Sequence, residues 1–364
     1  MRVIALTLAA VLMTGGCTGE TPGVLRIADA VPRPLGDRST LSALESLIEP
    51  GNAPRIELIP WSESHVVENT EAAQAARFID DPSVIAVVGH AGSRGTLLAA
   101  PLYRAAGLPL IVPTATAREL HTLPDGLYLL APADDMLGTF LVDRALDSLG
   151  VRRLAVLYVA DPYGEGIRSG IEERLNARGG SLAGESLFLG HECQTDRLAM
   201  RMVVRSLIAR TQPDGVIMAL PHMLTVCALE ELTAVNPNLV LLTSDSFVAD
   251  ENTKLSDAVR RTTHVLELWA PGNDSTTARF RTRMREVTGY DPTPGQAYAY
   301  DGFRLAEAAI RSGVRTRKQM RAWLDALGTS DQPAFVGVTG PIDFHQPRRP
   351  ELRLRALTDS LSRR

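Results

Sequence analysis

The stretch formed by residues 84–122 constrains the fold more than any other part of this sequence. Residues 84–88 are a short apolar run rich in β-branched side chains, typical of a strand buried on both faces of a parallel sheet. A glycine-rich turn follows, then helical spacing of apolar residues over 97–105, and Gly107 marks the end of that helix. A second apolar run at 108–112 leads into a turn rich in hydroxyl side chains. The sequence therefore predicts a strand–helix–strand unit that brings two polar turns to one sheet edge.

The same alternation of apolar β-type runs and amphipathic helices continues along most of the chain. The predicted strands are residues 25–28, 56–59, 84–88, 108–112, 154–159, 215–219 and 239–243. The predicted helices are residues 38–48, 70–79, 97–105, 136–149, 167–177, 198–211 and 224–235. This order predicts an α/β fold of parallel sheets with crossover helices. A chain of 364 residues is long enough for two such lobes.

Open parallel sheets bind ligands at the carboxyl ends of their strands, where the two polar turns are expected. The free N–H groups and the dipole of a helix N-terminus attract anions, so the turns predict a pocket for a small ligand with a carboxylate or a similar group. The net charge of −4 provides no basic surface, which argues against a nucleic-acid partner.

Signatures of catalysis are missing from the sequence. Ser93 and His90 follow a strand, but their spacing is not that of the nucleophile elbow. No dinucleotide-binding fingerprint follows the first strand, and neither a P-loop nor a zinc-protease motif occurs. We therefore expect a binding protein that is not an enzyme and that uses no cofactor or metal.

The N-terminus has the features of a targeting segment. A short positive start is followed by an apolar run at 3–13, which is too short to span a membrane. Small residues then precede Cys17, as in a bacterial lipobox, although Thr14 stands where leucine is usual. Residues 1–17 are thus predicted to be a signal peptide ending at a lipidated Cys17, which would anchor the exported protein to the membrane of the cell envelope. A plain secreted protein is the alternative.

Two further cysteines, Cys193 and Cys227, fall in the second half of the chain. In an export compartment they are a candidate disulfide, with free thiols as the alternative. A zinc site formed with His191 and His222 is a further alternative, although the spacing matches no standard motif.

Four segments in order resemble the branched-chain amino-acid-binding proteins, which are type I periplasmic binding proteins of ABC importers. They are residues 84–122, residues 153–180 with a Tyr-Gly turn, residues 291–312 with a Tyr-Asp-Gly step, and the Gly-Pro-Ile-Asp-Phe of 340–344. The resemblance covers nearly the whole mature chain. It implies two Rossmann-like lobes around a ligand cleft, hinge closure on a small ligand and an ABC permease as partner.

The resemblance also implies that the chain crosses three times between the lobes, near residues 134, 266–271 and 336–341. The N-terminal lobe would then comprise residues 24–134 and 269–333. The C-terminal lobe would comprise residues 135–268 and 334–364.

Five residues match ligand-binding positions of that family. Ser93 would hold the ligand's α-carboxylate, although a simple helix N-cap also explains a serine there. Thr114 and Thr116 match the turn that binds the α-amino and carboxylate groups, or else serve turn chemistry. Tyr163 would close over the ligand, or pack on its own helix. Asp245 would pair with the ligand ammonium, or cap a helix.

Other positions depart from the family pattern. Leu35 stands where an aromatic residue is common, and His222 lies in a turn that is usually Gly-Gly-Tyr. Arg94 would reach into the cleft or point to solvent, the latter being favoured, and Trp61 would replace part of the missing aromatic wall. These departures put branched-chain specificity in doubt. They also leave open a second function, that of an envelope lipoprotein that senses a ligand or regulates a partner without transport.

Overall fold

A computed structural model describes residues 23–31, 54–60, 70–123, 125–189, 197–248, 253–345 and 348–358. The first sheet contains five parallel strands in the order β2-β1-β3-β4-β5. These strands are β1 (Val24–Ala30), β2 (Arg55–Ile59), β3 (Val84–Gly89), β4 (Leu110–Val112) and β5 (Leu127–Leu129). Strand β3 is buried along its whole length because helices cover both faces of the sheet.

The second sheet has six strands in the order β13-β10-β9-β8-β6-β7, and all neighbours are parallel except β13, which is antiparallel to β10. Its strands are β6 (Leu154–Val159), β7 (Gly184–Phe188), β8 (Gly215–Ala219), β9 (Val240–Thr243), β10 (Thr263–Glu267) and β13 (Arg353–Ala356). A separate hairpin joins β11 (Phe335–Gly337) to β12 (Gly340–Ile342).

Ten helices connect these strands within the described residues. They are α1 (Thr70–Asp80), α2 (Ser93–Ala105), α3 (Asp134–Asp143), α4 (Pro162–Ala177), α5 (Arg197–Thr211), α6 (His222–Val235), α7 (Asp257–Thr262), α8 (Ser275–Thr288), α9 (Pro294–Arg311) and α10 (Arg317–Asp325). A 3-10 helix spans Arg118–Thr122, and a π-helical turn, Arg144–Ser148, follows α3. In the described part of the chain, no helix combines the length and the apolar character that crossing a membrane requires.

The prediction of an α/β fold with parallel sheets in two lobes is confirmed. All seven predicted strands are present, whereas the helix predicted at 38–48 lies outside the described residues. The helix predicted over 97–105 begins four residues earlier, at Ser93, and α4 begins five residues before the predicted 167. Both first turns are polar, so hydrophobic periodicity did not reveal them.

The chain passes between the two sheets three times: after β5, after β10 and between β12 and β13. Hydrogen bonds tie these crossings together. The indole N–H of Trp269 donates to the carbonyl of Val338 at 2.8 Å. Arg348 donates to the carbonyls of Leu130, at 3.1 Å, and Thr339, at 2.8 Å. The lobe boundaries given above stay predictions, and the third passage is completed only where β13 joins the second sheet.

Candidate functional site

Ser93 connects the turns that follow β3 and β4. It is the first residue of α2, and only 4% of it is exposed. Its Oγ accepts hydrogen bonds from the N–H groups of Thr116, at 3.3 Å, and Ala117, at 3.1 Å. The N-cap of α2 is Gly92, so the alternative role of Ser93 as N-cap does not hold. The hydroxyl thus fixes the second turn against the start of α2, a helix end whose first-turn N–H groups have no partner within the helix.

The two threonines of the second turn differ in their partners. Thr114 is half-buried, and its hydroxyl donates to the carbonyl of Ala91 at 2.9 Å, which is turn chemistry. Thr116 is completely buried, but its hydroxyl has no hydrogen-bond partner. The predicted ligand role therefore fits Thr116 better than Thr114.

Tyr163 reaches from α4 to the turn after β9. Asp161 caps α4 by accepting from the N–H of Gly164 at 2.9 Å, which places Tyr163 in the first turn of the helix. The phenol donates to Oδ1 of Asp245 at 2.9 Å and lies 2.7 Å from Oγ of Ser244. Tyr163 therefore does not pack only on its own helix, and it connects the carboxyl ends of β6 and β9.

Asp245 is the acid that the sequence placed in the cleft. Burial raises its pKa to about 6, and the hydrogen bond from Tyr163 opposes that rise. Burial also raises the pKa of the Tyr163 phenol, and the negative charge of Asp245 adds to this effect. At neutral pH Asp245 is therefore ionised and Tyr163 is a neutral donor. The pair is a negatively charged group held in a defined position.

Asp134 is a second acid, which interacts with Asp245 and to which sequence reasoning assigned no role in a site. It is completely buried at the start of α3, and its N–H donates to the carbonyl of Thr116 at 2.9 Å. Burial raises the pKa of its carboxyl to about 8, and the nearby charge of Asp245 contributes. The hydroxyl of Thr116 lies close enough to lower this pKa, although no hydrogen bond of good geometry forms between the two.

Tyr298 is another residue of this region that sequence reasoning did not single out. It is completely buried in α9, and its hydroxyl donates to the carbonyl of Leu268 at 3.3 Å, at the second crossing. Burial raises the pKa of its phenol, and the charge of Asp245 contributes. The first lobe thus brings an aromatic side chain close to the acid of the second lobe. Its position inside a Tyr-Ala-Tyr-Asp-Gly run was the available signal.

His90 and Arg94 lie beside Ser93 in sequence but do not share its surroundings. The His90 ring is buried, with Nδ1 paired to Glu71 and Nε2 3.2 Å from the hydroxyl of Tyr103. Arg94 is exposed, as the solvent alternative expected. His90 is therefore engaged within the first lobe.

Five residues of the predicted site, anchor and cysteine cluster lie outside the described residues: Leu35, Trp61, Cys17, Cys193 and His191. Cys227 is buried and forms a disulfide, so its sulfur is not a thiolate ligand for zinc, and its pairing with Cys193 stays a prediction. His222 stacks on Phe247 with ring centroids 5.3 Å apart. Within the described ranges, no group of three or more potential metal ligands occurs.

A family model described as periplasmic binding protein matches residues 48–351 of the chain. Over 108 residues the chain is 32% identical to an amino acid binding protein of Pseudomonas aeruginosa. That match covers 29% of this chain and 29% of the relative, so less than a third of the relative is matched.

Several solved structures share the fold. The leucine binding protein LivK of Thermotoga maritima superposes with a TM-score of 0.76 at 18% identity, covering 91% of this chain and 94% of that one. LivJ of Streptococcus pneumoniae in complex with isoleucine superposes with a TM-score of 0.76 at 18% identity, covering 91% of this chain and 95% of that one. A solute binding protein of R. palustris in complex with benzoate superposes with a TM-score of 0.74 at 15% identity, covering 92% of this chain and 93% of that one.

The family model spans most of the chain, and the two-lobed fold is that of solved binding proteins. The family consists of binding proteins rather than enzymes, in agreement with the sequence prediction. This chain belongs to the periplasmic binding protein family.

Proposed function

We propose that the chain is the extracytoplasmic solute-binding component of an ABC importer and that it captures an amino acid between its two lobes. The observation that carries this proposal is the position of Asp245. Its carboxylate is held by Tyr163 in the second lobe and is close enough to Asp134, beside Thr116, to change the pKa of that residue. This arrangement supports a ligand site with a negative group on one side and a turn of hydrogen-bond donors on the other.

The two ends of a zwitterion need opposite partners. The ammonium group would form a charge-assisted hydrogen bond with Asp245, which is ionised at neutral pH. The carboxylate would take the hydroxyl of Ser93 and the first-turn N–H groups of α2, where the helix dipole also favours a negative charge. A ligand bound at both ends would bridge the lobes and favour their closure.

An ion pair on the surface also connects the two sides of the cleft. Arg118, in the 3-10 helix after β4, donates two hydrogen bonds to Glu173 of α4, at 2.9 and 2.8 Å. These residues come from the two sides of the cleft, so this ion pair forms only when the lobes are close. Because both side chains are solvent-exposed, at 43% and 60%, the pair contributes little free energy by itself. We therefore expect ligand contacts to provide most of the free energy of closure.

The first experiment is a thermal-shift screen of the chain from Thr18 onward against the common amino acids, small amines and small carboxylates. A ligand that binds only the folded state raises the melting temperature by mass action. We expect a clear shift for an amino acid. The absence of any shift from all amino acids in a folded sample would contradict the proposal.

The variant Asp245→Asn tests the site itself. Loss of a charge-assisted hydrogen bond costs about 1.5–3 kcal/mol, so we expect an affinity about 10–150 times weaker by calorimetry. Asp257→Asn, at an exposed carboxyl in α7, is the matched control and should bind as the wild type does. An unchanged affinity in Asp245→Asn would contradict the assignment of this acid to the ligand ammonium.

A benzoate-bound relative shares the fold, so an aromatic carboxylate is the second candidate ligand. Benzoate has no ammonium group to meet Asp245. It would place its carboxylate at the turn of Ser93, and binding would not weaken in Asp245→Asn. The screen therefore includes benzoate, and the same variant separates the two ligand classes.

Anchoring at Cys17 is a further part of the proposal. Radiolabelled palmitate should be incorporated into the full chain in bacterial cells but not into Cys17→Ser. Labelling of both proteins, or of neither, would contradict lipidation at this cysteine.

A further inference from the structure

The proposed amino-acid site gives no role to Asp134. Neither carboxyl oxygen of this completely buried side chain has a hydrogen-bond partner, and the buried hydroxyl of Thr116 beside it has none. Buried polar atoms in folded proteins are nearly always paired, because an unpaired one loses its hydration without gaining a hydrogen bond. Three such atoms in one place indicate a position that receives a polar group.

Helix α4 contacts Asp134 directly and reaches Asp245 through Tyr163. Tyr163 and Gly166 lie three residues apart, on the same face of α4. Tyr163 donates to Asp245, and Gly166 packs so closely on Oδ2 of Asp134 that a Cβ atom would overlap with it. The two carboxyls therefore lie along one helix face, and the charge of Asp134 also acts on the phenol of Tyr163.

The other charged groups that act on Asp134 are also acidic. Glu119 of the 3-10 helix and Asp135 of α3 both raise its pKa, as Asp245 does from the turn after β9. The nearby guanidinium of Arg118 is bound to Glu173 and lies 3.9 Å from Asp135. Two carboxyls in a buried site cannot both carry a charge at low cost, so one positive charge has to accompany them.

We propose that Asp134 and Asp245 form a single cation subsite, in which the ammonium group of the bound amino acid replaces a proton that the pair holds in the ligand-free protein. This inference rests on the proposed function, which places the ammonium at Asp245. The proton leaves the carboxyl oxygen of Asp134 for the solvent, and the ammonium takes its place. The net charge of the subsite is −1 in both states, because a proton or an ammonium accompanies the two carboxylates.

The subsite selects ligands by charge. An amine or amino acid supplies the positive charge, whereas an anion without an ammonium would bind only while the pair keeps its proton. The cation binds the deprotonated pair, and the pKa of Asp134 is raised to about 8. Affinity for an amino acid should therefore rise up to about tenfold per pH unit from about pH 6 to about pH 8 and then level off.

Calorimetry with L-leucine as the probe tests the exchange. Titrations at about pH 7 in buffers of different ionisation enthalpy give the number of protons released, and we expect about one for the wild type. Asp134→Asn keeps the size of the side chain but cannot release a proton, so it should give a value near zero and a flat pH profile. Asp257→Asn, at an exposed carboxyl in α7 that does not act on Asp134, is the control and should behave as the wild type does. Leucine binding without proton release in the wild type would overturn the proposal.

A second measurement needs no ligand, so failure of leucine to bind would count against the proposed function and not against the subsite. Infrared spectroscopy detects the carbonyl stretch of a protonated carboxyl, which a carboxylate lacks. The ligand-free wild type should keep this signal at about pH 7, where exposed carboxyls are ionised. Asp134→Asn should lose the signal and Asp257→Asn should keep it. Its absence from the wild type would overturn the proposal whichever ligand binds.

Discussion

Asp301 holds the hairpin of the third crossing against the first lobe. This completely buried side chain of α9 accepts hydrogen bonds from the N–H groups of Val338 and Thr339, each at 2.8 Å. The hydroxyl of Thr339 donates a third, at 2.5 Å. Gly337 leaves the space for this carboxyl, since a Cβ there would overlap with it. The Asp of the Tyr-Asp-Gly motif therefore anchors the hinge.

The variant Asp301→Asn should destabilise the fold strongly. An amide has one acceptor oxygen and a donor group in place of the other, so at least one buried N–H loses its partner. A hydrogen bond to a charged group contributes about 1.5–3 kcal/mol, and the orphaned donor adds a desolvation penalty. Burial raises the pKa of Asp301, which offsets part of the gain from these bonds. We expect the free energy of unfolding to fall by about 2–4 kcal/mol.

Urea denaturation followed by circular dichroism measures this change. The midpoint should fall in Asp301→Asn while the slope stays near that of the wild type. Asp331→Asn, at an exposed aspartate after α10, is the control and should change the free energy by less than about 0.5 kcal/mol. A loss below about 1 kcal/mol in Asp301→Asn would refute the reasoning that the three hydrogen bonds hold the hinge.

Two further predictions concern contacts between helices. Glu173→Gln removes the charge that Arg118 binds across the cleft. The affinity for leucine should fall less than about fivefold at low salt and should not fall at high salt, because salt screens an exposed ion pair. An equal loss of affinity at both salt concentrations would contradict this reasoning. Gly170→Ala places a Cβ 2.7 Å from Cα of Asp135, where the backbones of α3 and α4 are in contact. Thermal denaturation should therefore show a free energy of unfolding lower by about 1–3 kcal/mol. Gly92→Ala, with open space around the new Cβ, should cost less, and an equal loss in the two variants would disprove the packing argument.

Most of the fold could be predicted because strands buried on both faces leave a strong pattern. The apolar run of β3 is visible without any tertiary information. Of the strands in the two sheets, β5, β7, β10 and β13 were not predicted. Strands β5, β7 and β13 lie at sheet edges, and β10 is the neighbour of β13, which reads Arg-Leu-Arg-Ala with two charged residues in four. Whether a segment forms an edge strand depends on the strand it pairs with and on its exposure more than on its own hydrophobicity.

The candidate site divides in a similar way. Ser93, Thr116 and Asp245 could be predicted because they follow strands, and parallel strands bring their carboxyl ends to one edge. The resemblance to a known family supplied their proposed roles. The bond between Ser93 and the Thr116 turn could not be predicted, since it depends on how the first turn of α2 packs against the end of β4.

By itself, the sequence determined two parallel-sheet lobes, the ends of the strands where a ligand would bind, and the polar residues found there. Only the tertiary structure decided that Asp134 and Asp245, separated by more than a hundred residues, lie along one face of α4. The pKa of a carboxyl depends on its solvation and on the charges near it, and both are set by packing between lobes. In the sequence Asp134 is an ordinary acid at a helix start, and only burial beside a second acid makes it a candidate for proton exchange.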